Sequence, residues 1–329
     1  MARRDQPKEF WEQPWRKEDY LPERPLRFLP EGGGLVEVTT RTLHGKLLIK
    51  PTPECKEIVE GVLGRALWKY PRIGLVGYWF LSNHYSLLVT TPDEQTLSAF
   101  MSHLNGNLAR ELGRLFKHRE RFWSRRYRAI YVSTGRWVQV DRLKYLLSQG
   151  CKEGLIGRAA EWPGACSLLA LTTGIVEMGV WFNRTAEFRA RRRGKNPGRY
   201  THSIEYPLTH VPLPCWARFT AAERRARARE LVAEIETEAA ERNKKLGRRP
   251  MGRKKILEQE PHSTPAHSDH SPAPLSHGNA LERESFKQLY WNFVKAFRAA
   301  SERLRSGILP ALCEFPCNRQ RLMSDIAHA

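Results

Sequence analysis

Asn83-His84-Tyr85-Ser86-Leu87-Leu88-Val89 is the stretch that decides how this chain is read. Tyr85 to Val89 is apolar and aromatic, which predicts a strand, and the polar pair Asn83-His84 predicts a tight break before it. Ile73 to Leu81 is a second apolar, aromatic run, so the two are expected to pair as a hairpin. Successive side chains on a strand point to opposite faces, which puts His84 and Ser86 on the same one. Two histidines at this spacing would present two imidazoles to one divalent cation. With Ser86 in the second place a single imidazole remains, and a neutral hydroxyl is a poor ligand. Taken alone, a histidine at a strand start is more often structural than metal-binding.

Working outward, Leu35 to Arg41 follows Glu31-Gly32-Gly33-Gly34 and is β-branched and partly alternating, hence a strand. Residues 53–69 suit a helix, because Ile58, Val59, Val62, Leu63, Ala66 and Leu67 recur at spacings of three and four. Thr91-Pro92-Asp93 is a helix-start signal, and Leu97, Phe100, Met101, Leu104, Leu108, Leu112 and Leu115 mark one face of the helix after it. Phe122 to Val132 reads as a strand carrying Arg125, Arg126 and Arg128. Residues 136–149 read as a further helix with Val138, Leu143, Leu146 and Leu147 inward. The order is strand, helix, strand, strand, helix, strand, helix. It matches an α+β ferredoxin-like sandwich: an antiparallel sheet with helices on one face and an extra helix, bearing Tyr145, laid against it.

Tyr145 and Gln149 are four apart on that last helix, one above the other. A phenol beside a carbonyl-bearing amide is what a metal-assisted tyrosine nucleophile needs. The plainer alternative is a half-buried tyrosine and a solvated glutamine, which any helix can contain.

The basic stretch says more. Arg114, Lys117, Arg119, Arg121, Arg125, Arg126, Arg128, Arg136, Arg142 and Lys144 meet only Glu120 and Asp141 between residues 114 and 144. Phe122, Trp123 and Tyr127 are interleaved among them. Cations grip phosphates while aromatic faces stack unpaired bases, so a nucleic-acid face is expected here. The whole chain agrees: 55 Lys and Arg against 35 Asp and Glu give a formal charge of +20 over 329 residues. Such an excess favours polyanions, though DNA, RNA and an acidic membrane satisfy it equally. No run approaches the roughly 18 apolar residues of a membrane span. No apolar stretch follows the charges of Met1-Ala2-Arg3-Arg4, so no secretory signal is expected. The six cysteines are scattered, and reduced thiols in a cytoplasmic protein are the expected state.

By composition the chain divides into an N-terminal arm (1–29), the sandwich domain (30–170), a basic and helical extension (171–249), a Pro/His/Ser-rich disordered linker (250–281), an amphipathic helix (282–307) and a tail (308–329). The extension holds the cluster Arg189, Arg191, Arg192, Arg193 and Lys195. Its helical part places Leu231, Ile235 and Ala239 four apart. In the helix over 282–307, Phe286, Leu289, Tyr290, Phe293, Phe297 and Leu304 form the apolar face.

Together these pieces resemble the REP-associated tyrosine transposases, relatives of the single-tyrosine HUH transposases of bacterial insertion sequences. The resemblance spans roughly residues 24–170. It begins at Arg24-Pro25-Leu26-Arg27, runs through the Asn83–Val89 stretch and Met101-Ser102-His103-Leu104-Asn105-Gly106, and continues in Phe122-Trp123-Ser124-Arg125-Arg126-Tyr127. Gly154-Leu155-Ile156 and Glu161-Trp162-Pro163-Gly164 close it. The resemblance implies that Tyr145 is the nucleophile, that His84 and Gln149 are metal ligands, and that Ser86 stands where a second histidine would. It implies Mg²⁺ or Mn²⁺ as cofactor and attack of the tyrosine on single-stranded or palindromic hairpin DNA, bound through Arg114, Lys117, Arg119, Arg121, Trp123, Arg125, Arg126, Tyr127, Arg128, Arg142 and Lys144. It also implies a bacterial, cytoplasmic, nucleoid-associated protein, and it leaves the oligomeric state open. The Ser86 departure leaves a second reading, a relative that holds structured DNA without cutting it.

Overall fold

Turn and cap residues set the element boundaries. Pro53 opens α1 (Pro53–Lys69), where its missing N–H costs nothing, and the Thr52 hydroxyl accepts the Cys55 amide at 3.2 Å. Asp93 caps α2 (Glu94–Leu115) by accepting the Thr96 amide at 2.6 Å. Between and around them run β1 (Gly34–Arg41), β2 (Gly74–Phe80), β3 (His84–Thr91) and β4 (Arg128–Val132). The sheet order is β2-β3-β1-β4, antiparallel throughout. That order is the ferredoxin-like one, so the expected fold is the observed fold. The computed structural model describes residues 26–195, 198, 201–265, 274–309, 313, 315 and 316.

The pleat of the sheet divides two cores. On one face Val36, Val38, Tyr78, Phe80, Tyr85, Leu87 and Val89 pack against α1 and α2. On the other, Leu35, Val76, Trp79, Leu81, Leu88 and Val132 pack against α3 (Arg136–Lys152) through Val138, Leu143, Leu146 and Leu147.

β4 is shorter than the expected strand over 122–132. Thr39 pairs with Arg128 and Thr42 with Trp123, so three steps along one strand are matched by five along the other. The surplus is a bulge that turns Arg125 and Arg126 outward, both exposed.

After α4 (Leu168–Thr173) comes a hairpin of β5 (Met178–Phe182) and β6 (Ser203–Pro207), with α5 (Arg184–Arg192) between its strands. The 171–249 region thus holds a strand pair as well as helices. Trp181, Tyr206 and Leu208 belong to the α1 and α2 core. The contact is backbone on backbone: a Cβ at Gly61 would lie 2.1 Å from the Val180 carbonyl oxygen, and one at Gly179 would lie 2.1 Å from that of Glu60. α6 (Ala221–Lys245), opened by a Thr220–Glu223 capping box, lays Leu231, Ile235 and Ala239 on the α3 side of the sheet.

The segment expected as a disordered linker contains α7 (Arg253–Glu258) and β7 (Ser276–His277). β7 adds to the sheet beside β4, in parallel. Residues 266–273 lie outside the described residues. The Pro, His and Ser composition concealed this order because its anchors are few: Ile256 of α7, buried in the α3-side core, and the two-residue pairing of β7 with β4. α8 (Ala280–Arg305) uses Phe286, Tyr290, Phe293 and Phe297 as its apolar face, but Leu289 is exposed. The end of the expected arm docks there, with Phe28 in ring contact with Phe286, Tyr290 and Phe293. Residues 1–25 lie outside the described residues.

Candidate active site

β3 and α3 meet at two of the candidate residues, Ser86 and Gln149. His84, Ser86 and Leu88 share the face of β3 that α3 covers. On α3, Trp137, Asp141, Tyr145 and Gln149 recur every four residues and so form one ridge. The ridge meets the strand at Gln149, whose buried side-chain amide donates to the Ser86 hydroxyl at 2.8 Å. Thr39, the partner of Ser86 in the β1–β3 register, brings a second hydroxyl to 3.5 Å. The Gln149 carbonyl oxygen is buried and has no hydrogen-bond partner among the described residues. A buried polar atom left this way is costly unless something is bound to it, and this oxygen is free to act as a donor to a cation.

His84 opens β3, two residues from Ser86, which on a strand is about 6.6 Å. Its Nδ1 sits 2.7 Å from the Asn83 side-chain oxygen, which can only accept; the proton is therefore on Nδ1, and Nε2 carries the lone pair. Burial, helped by the Arg41 guanidinium, lowers the imidazole pKa to about 4. The ring is neutral at physiological pH, the form that binds a metal.

Tyr145 is half-buried one turn before Gln149. The Lys152 ammonium lies 4.4 Å and the Arg142 guanidinium 4.8 Å from its ring centroid. Arg142 is in turn held by Asp141 at 2.5 Å and by buried Glu37 at 3.7 Å. Glu37 also meets His277 of β7 at 2.9 Å, an approach not aligned as a hydrogen bond.

For a divalent cation, the neutral His84 Nε2 and the orphaned Gln149 oxygen are donors of a fitting type. Ser86 accepts the Gln149 amide and adds only a neutral hydroxyl, and no cluster of three His, Cys, Asp or Glu that could hold a metal occurs among the described residues.

The expected DNA-binding set divides. Lys117, Arg119, Arg121, Arg125, Arg126 and Arg128 are exposed, along the end of α2 and the loop into β4. Arg114 pairs with Glu111 at 2.7 Å. Lys144 is claimed by Glu234 and Glu238 of α6 at 2.8 and 2.7 Å, and Arg142 by the carboxylates above. Trp123 and Tyr127 do not offer free faces. The Trp123 indole N–H donates to the Asn105 carbonyl at 2.9 Å, with the ring packed on Tyr85 and Phe122. Tyr127 is 8% exposed, with Arg27 over its ring at 4.3 Å. In this part of the sandwich the aromatic residues are core and the cations are surface.

Sequence reading missed Thr39, Lys152, Glu37 and Trp137. Thr39 and Glu37 become visible only once the β1 register is known. The i, i+4 ridge already pointed to Trp137.

No family model matches the chain, and no curated protein matches it. Among solved structures it is similar to a REP-associated tyrosine transposase bound to a REP hairpin, at 15% identity and a TM-score of 0.35, over 54% of this chain and 89% of that one. It is also similar to a transposase-type protein of Deinococcus radiodurans, at 15% identity and a TM-score of 0.27, over 38% of this chain and 95% of that one. Among the described residues no helix is long and apolar enough to cross a membrane.

Proposed function

We propose that the protein cleaves and rejoins single-stranded or hairpin DNA with Tyr145 as nucleophile. The supporting observation is that Gln149, one turn from Tyr145, reaches β3 at Ser86, on the strand face that carries His84. On this reading the phenol and the unpartnered amide oxygen stand one turn apart on α3, and the neutral imidazole two residues from Ser86 on β3. The Tyr145 oxygen attacks phosphorus, the bond to the 3′ oxygen breaks, and the strand is left with a 5′-phosphotyrosyl link and a free 3′-hydroxyl. The phenol proton leaves to solvent and the departing 3′ oxygen takes one up. Rejoining reverses the step with a 3′-hydroxyl as attacking group. Lys152, 4.4 Å from the tyrosine ring centroid, supplies positive charge where the phosphate would rest, while Arg142, held by Asp141 and Glu37, packs on the same ring. His84 and Gln149 would hold Mg²⁺ or Mn²⁺, which when bound polarises a phosphate oxygen. The exposed cations from Lys117 to Arg128 bind the remaining backbone, which makes affinity steeply salt-dependent.

Incubation with labelled hairpin DNA and Mn²⁺ tests this. A denaturation-resistant adduct is expected in the natural protein and none in Tyr145→Phe; no adduct in either overturns the cutting reading. A second reading, structured-DNA binding without cutting, is favoured by the Ser86 hydroxyl, which occupies the Gln149 amide and adds no imidazole. On that reading DNA binds tightly, the natural protein forms no adduct, and Ser86→His restores one.

A further inference from the structure

Trp137, on the first turn of α3, is 70% exposed, an unusual position for the largest apolar side chain. It lines a groove of about 410 Å³ between α3 and α6, together with Arg136, Lys144, Arg227 and Glu234. That volume falls in the range of sites for small organic groups, roughly 300–1,000 Å³. The charges of the groove balance, since Asp141, Glu230 and Glu234 oppose the three cations, and Lys144 is already bound to Glu234 and Glu238. Such a groove does not attract phosphate. It offers an indole face for stacking and, in Glu230, a carboxylate able to accept hydrogen bonds, which fits the flat, amino-bearing edge of a nucleobase. Trp137 also stands on the Tyr145 ridge, eight residues earlier, about 12 Å along the helix axis.

We propose that the Trp137 groove takes one unpaired base of the strand whose phosphate lies at Tyr145, with preference for bases that carry an exocyclic amino group. This inference rests on the DNA reading above and adds the element that selects where along the strand Tyr145 acts. Exposed cations grip the backbone without reading it, whereas a stacked and hydrogen-bonded base is chosen.

The test is binding of the full chain to single-stranded oligonucleotides in which one position at a time is abasic, followed by fluorescence anisotropy. Trp137→Ala should weaken binding of the intact strand about 10-fold, as for loss of one stacked base. One abasic position should cost the natural protein a similar factor and cost the variant nothing. Trp137→Phe should recover most of the affinity, whereas Trp137→Gln should not. Because the side chain is exposed, unchanged melting temperatures are expected in all three variants. Natural affinity in Trp137→Ala, or an abasic profile identical in the two proteins, overturns the base-site proposal while leaving Tyr145 chemistry intact. Failure of the natural protein to bind any strand at low salt overturns both.

Discussion

The two faces of one sheet differ in kind although the same strands build them. Tyr85 and Ser86 are neighbours in sequence, yet Tyr85 faces α1 and α2 among Phe80, Phe100 and Leu104, while Ser86 faces α3 among Thr39 and Gln149. The first face is packed with large side chains. The second mixes apolar residues with Glu37, Thr39, Ser86 and Gln149, all shielded or nearly so from water. A two-residue period thus lets one strand hold the fold together with its odd positions and keep polar groups in place with its even ones. Substitutions one residue apart should therefore fail in different ways.

The largest effect is expected at Tyr85. Its ring stacks on Phe80 at 4.5 Å and its hydroxyl donates to the Asn105 side chain at 2.6 Å. Tyr85→Ala should cost about 3–5 kcal/mol in urea unfolding, from the cavity and the stranded Asn105 together. A cost under about 1 kcal/mol would break the view of this face as the structural one.

Acid should also act on the packed face. His210 stacks on Tyr78 at 5.9 Å, and burial lowers its pKa to about 4. Between an unfolded value near 6.5 and that folded value the unfolded chain binds more protons. Its contribution is thus complete above pH 6.5 and lost as pH falls towards 4, by up to about 3 kcal/mol. His84 and His103 titrate in the same window, so the comparison is with His210→Phe, which keeps a ring on Tyr78. The difference in stability between the two proteins should shift with pH across that window; a constant difference would rule the effect out.

On the polar face, Ser86→Ala or Gln149→Leu alone should each cost about 1–3 kcal/mol, because each strands the other partner in a buried place. The double variant should cost less than the two added together, since neither change then leaves the other residue's polar group stranded. Strict additivity would mean that the 2.8 Å contact between α3 and β3 does not couple them.

The smallest effect is expected outside both faces. Lys144→Ala removes two exposed ion pairs with α6 and should change stability by less than about 1 kcal/mol. Because Lys144 is already neutralised, DNA affinity should hardly change, whereas Arg119→Ala or Arg125→Ala should weaken binding and flatten its salt dependence. Equal losses at Lys144 and Arg125 would show that charge pairing does not decide which cations meet DNA.

The strand and helix signals in the chain were enough to establish the sandwich, because hydrophobic period and caps are local. The Thr52-Pro53 start and the run from Ile58 to Leu67 placed α1, and the spacing of Tyr145 and Gln149 placed them on one ridge. What depended on residues far apart in sequence could not be read that way. Glu234 and Glu238 cancel Lys144 from α6, some ninety residues on. Gly61 and Gly179 look like weak points in a helix and a strand until their backbones are seen to touch. Trp123 and Tyr127, interleaved with cations, read as stacking faces but are covered by Asn105, Tyr85 and Arg27.

By itself, then, the sequence determined the order of elements, the shared face of His84 and Ser86, and an excess of positive charge. Tertiary structure alone decided which cations stay exposed, which aromatic residues are covered, and that Gln149 rests on Ser86 with its own oxygen unpartnered among the described residues. Periodicity and capping act within a few residues, whereas burial and charge pairing are properties of surfaces that only the folded chain brings together.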